Sequence, residues 1–328
     1  MIETQRPSSR RAVLVALAAV GAVRPLSAQA RFPNRPITLL VPFAPGGIAD
    51  LMARAVGEAI GRQLGQPVVV DNRPSAGSIV ASQVVAKAAP DGHTLLLMSN
   101  GNAVSVGLFR TLGYDPQRDF APVSTLGFFD LGIFAAATGR FATLTDALAF
   151  ARSKPGQLNV GSVAVGSTQH LAAKLFETLS QTELLVVPYK GSPAVLTALR
   201  SGEIDLAFEI LGPMLPQLKA GVVRALALSS ERRHPMLPEV PTVAQAGVPG
   251  YSVASWNALA APTGTPPAVI ATLNRAVREA LASKAVQDRL APLGVRLAAS
   301  SPADAQALLA SEIRRWGEVI RSAKIEPE

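Results

Sequence analysis

Short apolar runs alternate along this chain with stretches whose apolar residues recur at helical spacing, a pattern that predicts strands followed by helices. Ile37-Thr38-Leu39-Leu40-Val41 is uncharged and mostly β-branched or leucine, as a strand buried on both faces requires. Leu51 to Ile60 repeats its apolar pairs every four residues, which is one face of a helix. Gly65-Gln66-Pro67 stops that helix and Val68-Val69-Val70 predicts a second strand, so the opening is a strand–helix–strand unit with parallel strands. After the Asn72 to Ser78 turn, a helix over Ile79 to Ala88 leads through Pro90-Asp91-Gly92 to a third strand, Thr94 to Met98. Its carboxyl end opens into Ser99-Asn100-Gly101-Asn102, which reads as a polar loop of turn-forming residues.

Beyond an irregular passage, Thr125 to Ala136 alternates around Phe128-Phe129-Asp130 and predicts a strand able to carry the chain from one domain into the next. A second series follows, with helices over Thr145 to Ala151, Leu171 to Leu179 and Ala194 to Arg200. Its strands are Asn159 to Gly161, Leu184 to Val187, Ile204 to Phe208 and Arg224 to Leu228. Past a proline- and glycine-rich passage from Pro235 to Gly250, Ser252 to Ala261 predicts a strand returning towards the first domain. Helices over Ala268 to Ala282 and Lys284 to Leu290 and a short strand at Val295 to Leu297 come next. The last helix, capped at Ser301-Pro302, runs to about Arg321. The fold class is therefore α/β, with two lobes. Lobe 1 is expected to combine residues 31–129 with 253–328, and lobe 2 to hold residues 130–252.

Residues 1–30 read as an export leader. Arg10-Arg11 precede an apolar run from Ala12 to Val20, and Ala28-Gln29-Ala30 supplies a small-residue cleavage site near Ala30. The paired arginines resemble a twin-arginine signal, with an ordinary Sec leader as the other reading. No later stretch is long and apolar enough to span a bilayer, so the expected location is the periplasm.

Of the 328 residues, 48% are hydrophobic and 16% charged, enough for substantial cores and contrary to disorder. The net charge of +8 falls to +5 once Arg6, Arg10, Arg11, Arg24 and Glu3 of the leader are set aside. Those charges are scattered, which favours a small organic anion as partner over nucleic acid. The absence of cysteine excludes disulfide and thiolate chemistry.

Ligand-binding candidates lie where predicted strands give way to helices, the place where open parallel sheets bind ligands. Phe43-Ala44-Pro45-Gly46-Gly47 stiffens a turn with proline and bares backbone amides ahead of a helix. The same turn serves equally well as a plain connection with tight packing. Asp50 complements that helix's dipole and can reach Arg54 one turn on. Ser99 and Asn100 end the third strand. In the second series, Ser162, Gly166, Ser167, Thr168 and His170 belong to a loop that opens a helix, as do Tyr189, Lys190 and Gly191. With Lys190 the single cation of these loops, backbone N–H groups and hydroxyls are the expected anion holders, rather than an arginine clamp. Glu209 ends its strand facing the cleft, whereas Asp205 lies well back along that strand and reads as structural. An acid at the rim disfavours a densely charged ligand, pointing to a carboxylate with few charges or one carrying an amine or amide.

No catalytic group, metal or cofactor is expected. A Gly-x-Ser-x-Gly elbow, a dinucleotide fingerprint and a phosphate-binding Walker loop are all lacking, and His93, His170 and His234 stand apart from metal-ligand spacing. A regulator's sensing domain would need a DNA-binding helix pair where the leader stands.

Arg35-Pro36-Ile37 with Val41-Pro42-Phe43-Ala44-Pro45-Gly46-Gly47, Asp50 and Arg54 resembles the opening of the periplasmic receptors of tripartite tricarboxylate transporters. The resemblance continues through Asn72-Arg73-Pro74, Pro90-Asp91-Gly92-His93, Asp119-Phe120-Ala121-Pro122-Val123, Gly166-Ser167 with His170, and Val187-Pro188-Tyr189-Lys190-Gly191. It holds in Val240-Pro241-Thr242, Gly264-Thr265-Pro266, and Glu312 with Trp316, so it covers essentially the whole mature chain. It implies a two-lobed type II periplasmic binding fold that closes on a small organic anion, commonly a carboxylate. Delivery to a separate membrane permease is implied as well, by a receptor expected to be a monomer. The departures are Ser75 and Ser78 for glycine, Ala164 for glycine, Lys174 for glutamate and Glu209 for aspartate. An exported sensor or enzyme acting on the same ligands is the alternative.

Overall fold

Strand β1 (Ile37–Val41) pairs in parallel with β2 (Val68–Asn72) on one side and β3 (Thr94–Ser99) on the other. This is a computed structural model that describes residues 1–2, 32–163, 165–323 and 325–327. The leader reading rests on residues 3–30 and one departure on Ala164, all outside the described residues.

Helix α1 (Ile48–Leu64) connects β1 to β2 and buries Met52, Val56 and Ile60 over the sheet; enclosing a side chain of that size contributes roughly 1.5–3 kcal/mol. It ends at Gly65, whose left-handed φ of 71° lets its N–H close on Gly61 O. Helix α2 (Ile79–Ala86) returns to β3, and α3 (Asn100–Leu108) leaves it at once. The expected polar loop is thus the first turn of a helix. Ser99 Oγ accepts from Gly101 N–H, and Asn102 Oδ1 accepts from Ser99 N–H at 2.9 Å, a reciprocal cap built from turn-forming residues.

Strand β4 (Phe120–Ala136) is long and crosses between the sheet halves. It begins before the expected Thr125, and its pairing shifts register between Pro122 and Ser124, where proline breaks the regular ladder. The middle of the chain supplies α4 (Leu144–Ser153), β5 (Asn159–Val163), α5 (Thr168–Ser180), β6 (Leu185–Tyr189), α6 (Ser192–Ser201), β7 (Leu206–Ile210), α7 (Leu211–Lys219) and β8 (Val223–Leu228). Helix α7 went unread in the sequence because Pro213 and Pro216 obscure its period. The return consists of β9 (Ala254–Pro262), α8 (Pro267–Ala282), α9 (Lys284–Leu290), β10 (Val295–Leu297) and α10 (Pro302–Ser322).

One half of the sheet runs β2-β1-β3-β9-β4 with β10 on the outside of β4, and the other runs β6-β5-β7-β4 with β8 on its far side. The halves share β4, which changes partner between Asp130, paired with Ala254 of β9, and Leu131, paired with Ile210 of β7. One apolar core continues through both halves, from Leu96 and Val104 to Leu171, Phe208 and Trp316. Trp256 and Trp316 are buried within it, as packing rather than as exposed stacking surfaces. Asp205 takes the structural part expected of it, paired with Arg140 at 2.7 Å and accepting from Asn159 N–H.

Candidate functional site

The carboxyl ends of β1, β3, β5 and β7 each lead into a helix, at once for β3 and β7 and through a short turn for β1 and β5, and these connections from the two halves touch. Asn100 Nδ2 on α3 donates to Thr168 Oγ1 on α5 at 3.1 Å. A side chain at Gly166 would stand 2.3 Å from Leu108 of α3, and at φ 79° that position already favours glycine. A side chain at Gly212, in the first turn of α7, would meet Ile48 of α1 at 3.0 Å. Two contacts therefore close β5–α5 on α3 and β7–α7 on α1.

Phe43 to Gly47 are exposed ahead of α1, Phe43 at 37%. Their shape is fixed from below by Asp50. One of its oxygens accepts from Gly46 N–H at 2.9 Å and Arg54 Nε at 3.0 Å, and the other from Asn72 Nδ2 at 3.0 Å. Asn72 Nδ2 also donates to Phe43 O, and Asn72 Oδ1 accepts from Arg54. Burial works to raise the Asp50 pKa; the bonds from Arg54, Gly46 and Asn72 outweigh it and hold the carboxyl below its usual value. Gly46 N–H is committed to Asp50, so the amides open to a ligand are those of the first turn of α1, whose N-terminus has no side-chain cap. Asn72 is a positioning residue that sequence reading passed over, although the Asn72-Arg73-Pro74 turn marked its place.

In the second half, Ser167 caps α5: its Oγ accepts from His170 N–H at 3.1 Å and donates to Val163 O at 2.9 Å. Thr168 lies between Asn100 and Ser255 Oγ, 3.3 Å away. His170 is buried; burial, and then the charge of Lys174, bring its pKa down to about 4, so the ring is neutral at pH 7. Its Nδ1 has no partner among the described residues, and a nucleophilic triad would need an acid there. Tyr189 is directed elsewhere: its hydroxyl donates to Glu203 at 2.7 Å, and burial and that carboxylate push its pKa to about 12. Lys190 is exposed and Gly191 half-buried at the start of α6.

Glu209, next to the end of β7, has none of its surface exposed and so does not stand at an open rim. It accepts from Gln169 of α5 and Ser192 of α6, both within the two loops the sequence marks as ligand loops though not named there as binding residues. Asn257 was missed as well. It is a buried polar residue inside apolar β9, opposite Ser99, and its Oδ1 has no partner among the described residues. With Ser162 Oγ, His170 Nδ1 and Glu209 Oε2, it makes a set of enclosed polar atoms at or beside the strand ends that lack partners. Each of these atoms keeps unused hydrogen-bonding capacity. Of two surface cavities, one of about 400 Å³ lies away from these turns, against Tyr114 and Ile313, and one of about 740 Å³ runs from Gly212 at the start of α7 past Leu215 to Met236. No helix among the described residues is long and apolar enough to cross a membrane.

The profile described as tripartite tricarboxylate transporter family receptor matches residues 52–325. The UPF0065 protein of the tcbD-tcbE intergenic region of Pseudomonas sp. strain P51 is 40% identical over 290 residues, 88% of this chain and 86% of that protein. Among solved structures, an R. palustris protein with adipate superimposes at a TM-score of 0.83 with 37% identity, covering 90% of this chain and all of that one. MatC from Rhodopseudomonas palustris, with bound malate, gives 0.79 and 35%, over 88% of this chain and all of that one.

Proposed function

This chain belongs to the tripartite tricarboxylate transporter receptor family, whose members are periplasmic solute-binding receptors on an α/β two-lobed binding fold, and from that premise we propose that it binds a small organic carboxylate, or a related amide or amino acid, between its lobes. The single observation that carries this reading is the meeting of strand-end turns from the two halves, where Asn100 of α3 donates to Thr168 of α5. The first-turn amides of α1 and the hydroxyls of Ser99, Ser162 and Thr168 hold the anion in this reading, and Lys190 assists from outside. Lobe 1 comprises residues 31–129 and 253–328 and lobe 2 residues 130–252, with the hinge where β4 changes partners. The mature receptor, exported with loss of a leader near Ala30, acts as a monomer and hands its solute to a membrane permease, without chemical conversion.

Adipate and malate, bound by the two structural neighbours, head the panel of acids to test. A thermal-shift screen followed by calorimetry should give saturable binding of at least one carboxylate, recovered unchanged after incubation. Consumption of the solute would replace the receptor reading with an enzyme. Absence of binding across mono-, di- and tricarboxylates, aromatic acids and amino acids would remove the ligand class.

A further inference from the structure

Glu209 is the enclosed acid at the end of β7, and its two oxygens have opposite surroundings. Oε1 accepts from Gln169 Nε2 at 2.9 Å, from Ser192 Oγ at 2.8 Å and from Ile210 N–H at 3.2 Å. Oε2 has no partner among the described residues and is enclosed. A buried carboxylate is tolerable when a cation or a full set of donors meets it, and here neither condition holds.

The titratable groups on the elements packed against β7 do not supply a counter-charge. On α5, Lys174 pairs with Glu177 at 2.7 Å and His170 is neutral. Arg200 stands in the last turn of α6 and Lys219 in the last turn of α7, at the far ends from Glu209. On β4, Asp130 faces His234 at 3.9 Å, and β5 carries no titratable side chain. Burial pushes the Glu209 pKa up, against the downward pull of Gln169, Ser192 and Ile210.

Three donors on Oε1 leave Oε2 as the place for the proton of a neutral acid. That O–H is a buried donor with no acceptor. Gln169 and Ser192, which bond the other oxygen, stand in the first turns of α5 and α6, so the acid lies where two strand-end turns begin their helices.

We propose that Glu209 is a neutral carboxylic acid whose Oε2–H donates to an acceptor oxygen of the bound solute, so that the receptor selects a solute carrying a second carboxylate or a carbonyl at that end. This rests on the solute-binding reading above and sharpens it. It reverses the preference expected of an ionised acid: an acceptor gains a hydrogen bond, and an ammonium group gains nothing.

The test uses the mature chain and matched probes: pentanoate, 5-aminopentanoate and glutarate, with butyrate, 4-aminobutyrate and succinate as the shorter set. Calorimetry should find a diacid bound at least about tenfold more tightly than its matched monoacid and amino acid, the size of one hydrogen bond to a charged group. Diacid affinity should fall about tenfold per pH unit above the Glu209 pKa, because each complex retains one proton. Glu209→Gln, which keeps a donor and cannot ionise, should flatten that pH profile and bind the diacid at least about tenfold more tightly than Glu209→Leu. Independently of any solute, the infrared band of a protonated carboxyl should be present in the unliganded protein and lost in Glu209→Gln. If that band is missing, or Glu209→Gln and Glu209→Leu weaken the diacid equally, the neutral-donor idea fails while solute binding stands. A wild-type chain that prefers the monoacids or amino acids overturns the inference alone. One that binds no probe in either set, nor any acid of the wider screen, overturns both readings together.

Discussion

Asn100 and Thr168 are 68 positions apart in sequence, yet the amide of one donates to the hydroxyl of the other at 3.1 Å. Asn100 Oδ1 accepts in turn from Trp316 Nε1 at 2.8 Å, and Thr168 lies beside Ser255 of β9. One amide thus ties the start of α3 to the start of α5 and to α10. Asn100→Ala should cost about 1–3 kcal/mol, since Trp316 keeps Glu312 and Thr168 keeps Ser255 as partners. Urea unfolding measures this, and an unchanged midpoint would show that the bridge contributes nothing.

The exposed turn before α1 gives a second prediction. Gly46 has a φ of 83° and open space where a side chain would go, so Gly46→Val acts through the backbone, straining it by about 1–2 kcal/mol and re-aiming the turn. Calorimetry with whichever acid binds should show a larger loss for Gly46→Val than for Lys190→Ala. Abolition by Lys190→Ala with Gly46→Val intact would refute the idea that backbone amides hold the anion.

Asp50 holds that turn from beneath. Its pKa is depressed in the fold, so its contribution is present above its unfolded value of 3.8 and is lost as pH falls through the lower folded value. Asp50→Ala should destabilise the neutral-pH protein by about 2–3 kcal/mol, and the difference from wild type should shrink in strong acid. A difference constant down to pH 2 would contradict this assignment.

His170 and Glu209 titrate with opposite signs. With the His170 pKa lowered from 6.5 to about 4, the unfolded chain binds the extra proton, and stability falls as pH drops through that window, by about 3 kcal/mol at most. Glu209 has a raised folded value: its contribution is complete below the unfolded value of 4.5 and is lost as pH rises through the folded one. Denaturation curves of His170→Gln should therefore be flatter below pH 6, and those of Glu209→Gln flatter on the alkaline side. The reverse pairing would invalidate both assignments.

If solute bridges the two halves, binding favours the closed arrangement by the difference in its affinity for closed and open forms. Small-angle scattering should show compaction on saturation with a binding acid. An envelope unchanged at saturation would argue against closure.

Much of the fold was legible because β1, β3 and α1 carry patterns that only one kind of element satisfies. Helix α3 was not, since Ser99, Asn100, Gly101 and Asn102 are turn formers whose reciprocal cap exists only once the helix has formed. Prolines hid α7 and the first residues of β4. At the site, sequence indicated which turns end the strands, and left open which atoms are free. Gly46 N–H is committed to Asp50, the Ser167 hydroxyl to its own helix and the Tyr189 hydroxyl to Glu203. Those partnerships are tertiary, as is the full burial of Glu209.

Strand β9 lies in the middle of its half-sheet, between β3 and β4, and is made from residues 254–262. Both of its neighbours are synthesised more than a hundred residues earlier, whereas β5, β6, β7, β8 and the far end of β4 can pair as soon as residue 228 has emerged. Until residues 254–262 insert, the chain has a slot one strand wide, walled by two rows of unpaired backbone groups that accept a foreign strand as readily as their own. Chains ended at residue 253 should therefore aggregate where the full chain stays in solution. The vulnerable interval is the one between the pairing of β4 and the insertion of β9, wherever the chain folds, and any delay in that insertion lengthens its exposure to the wrong partner.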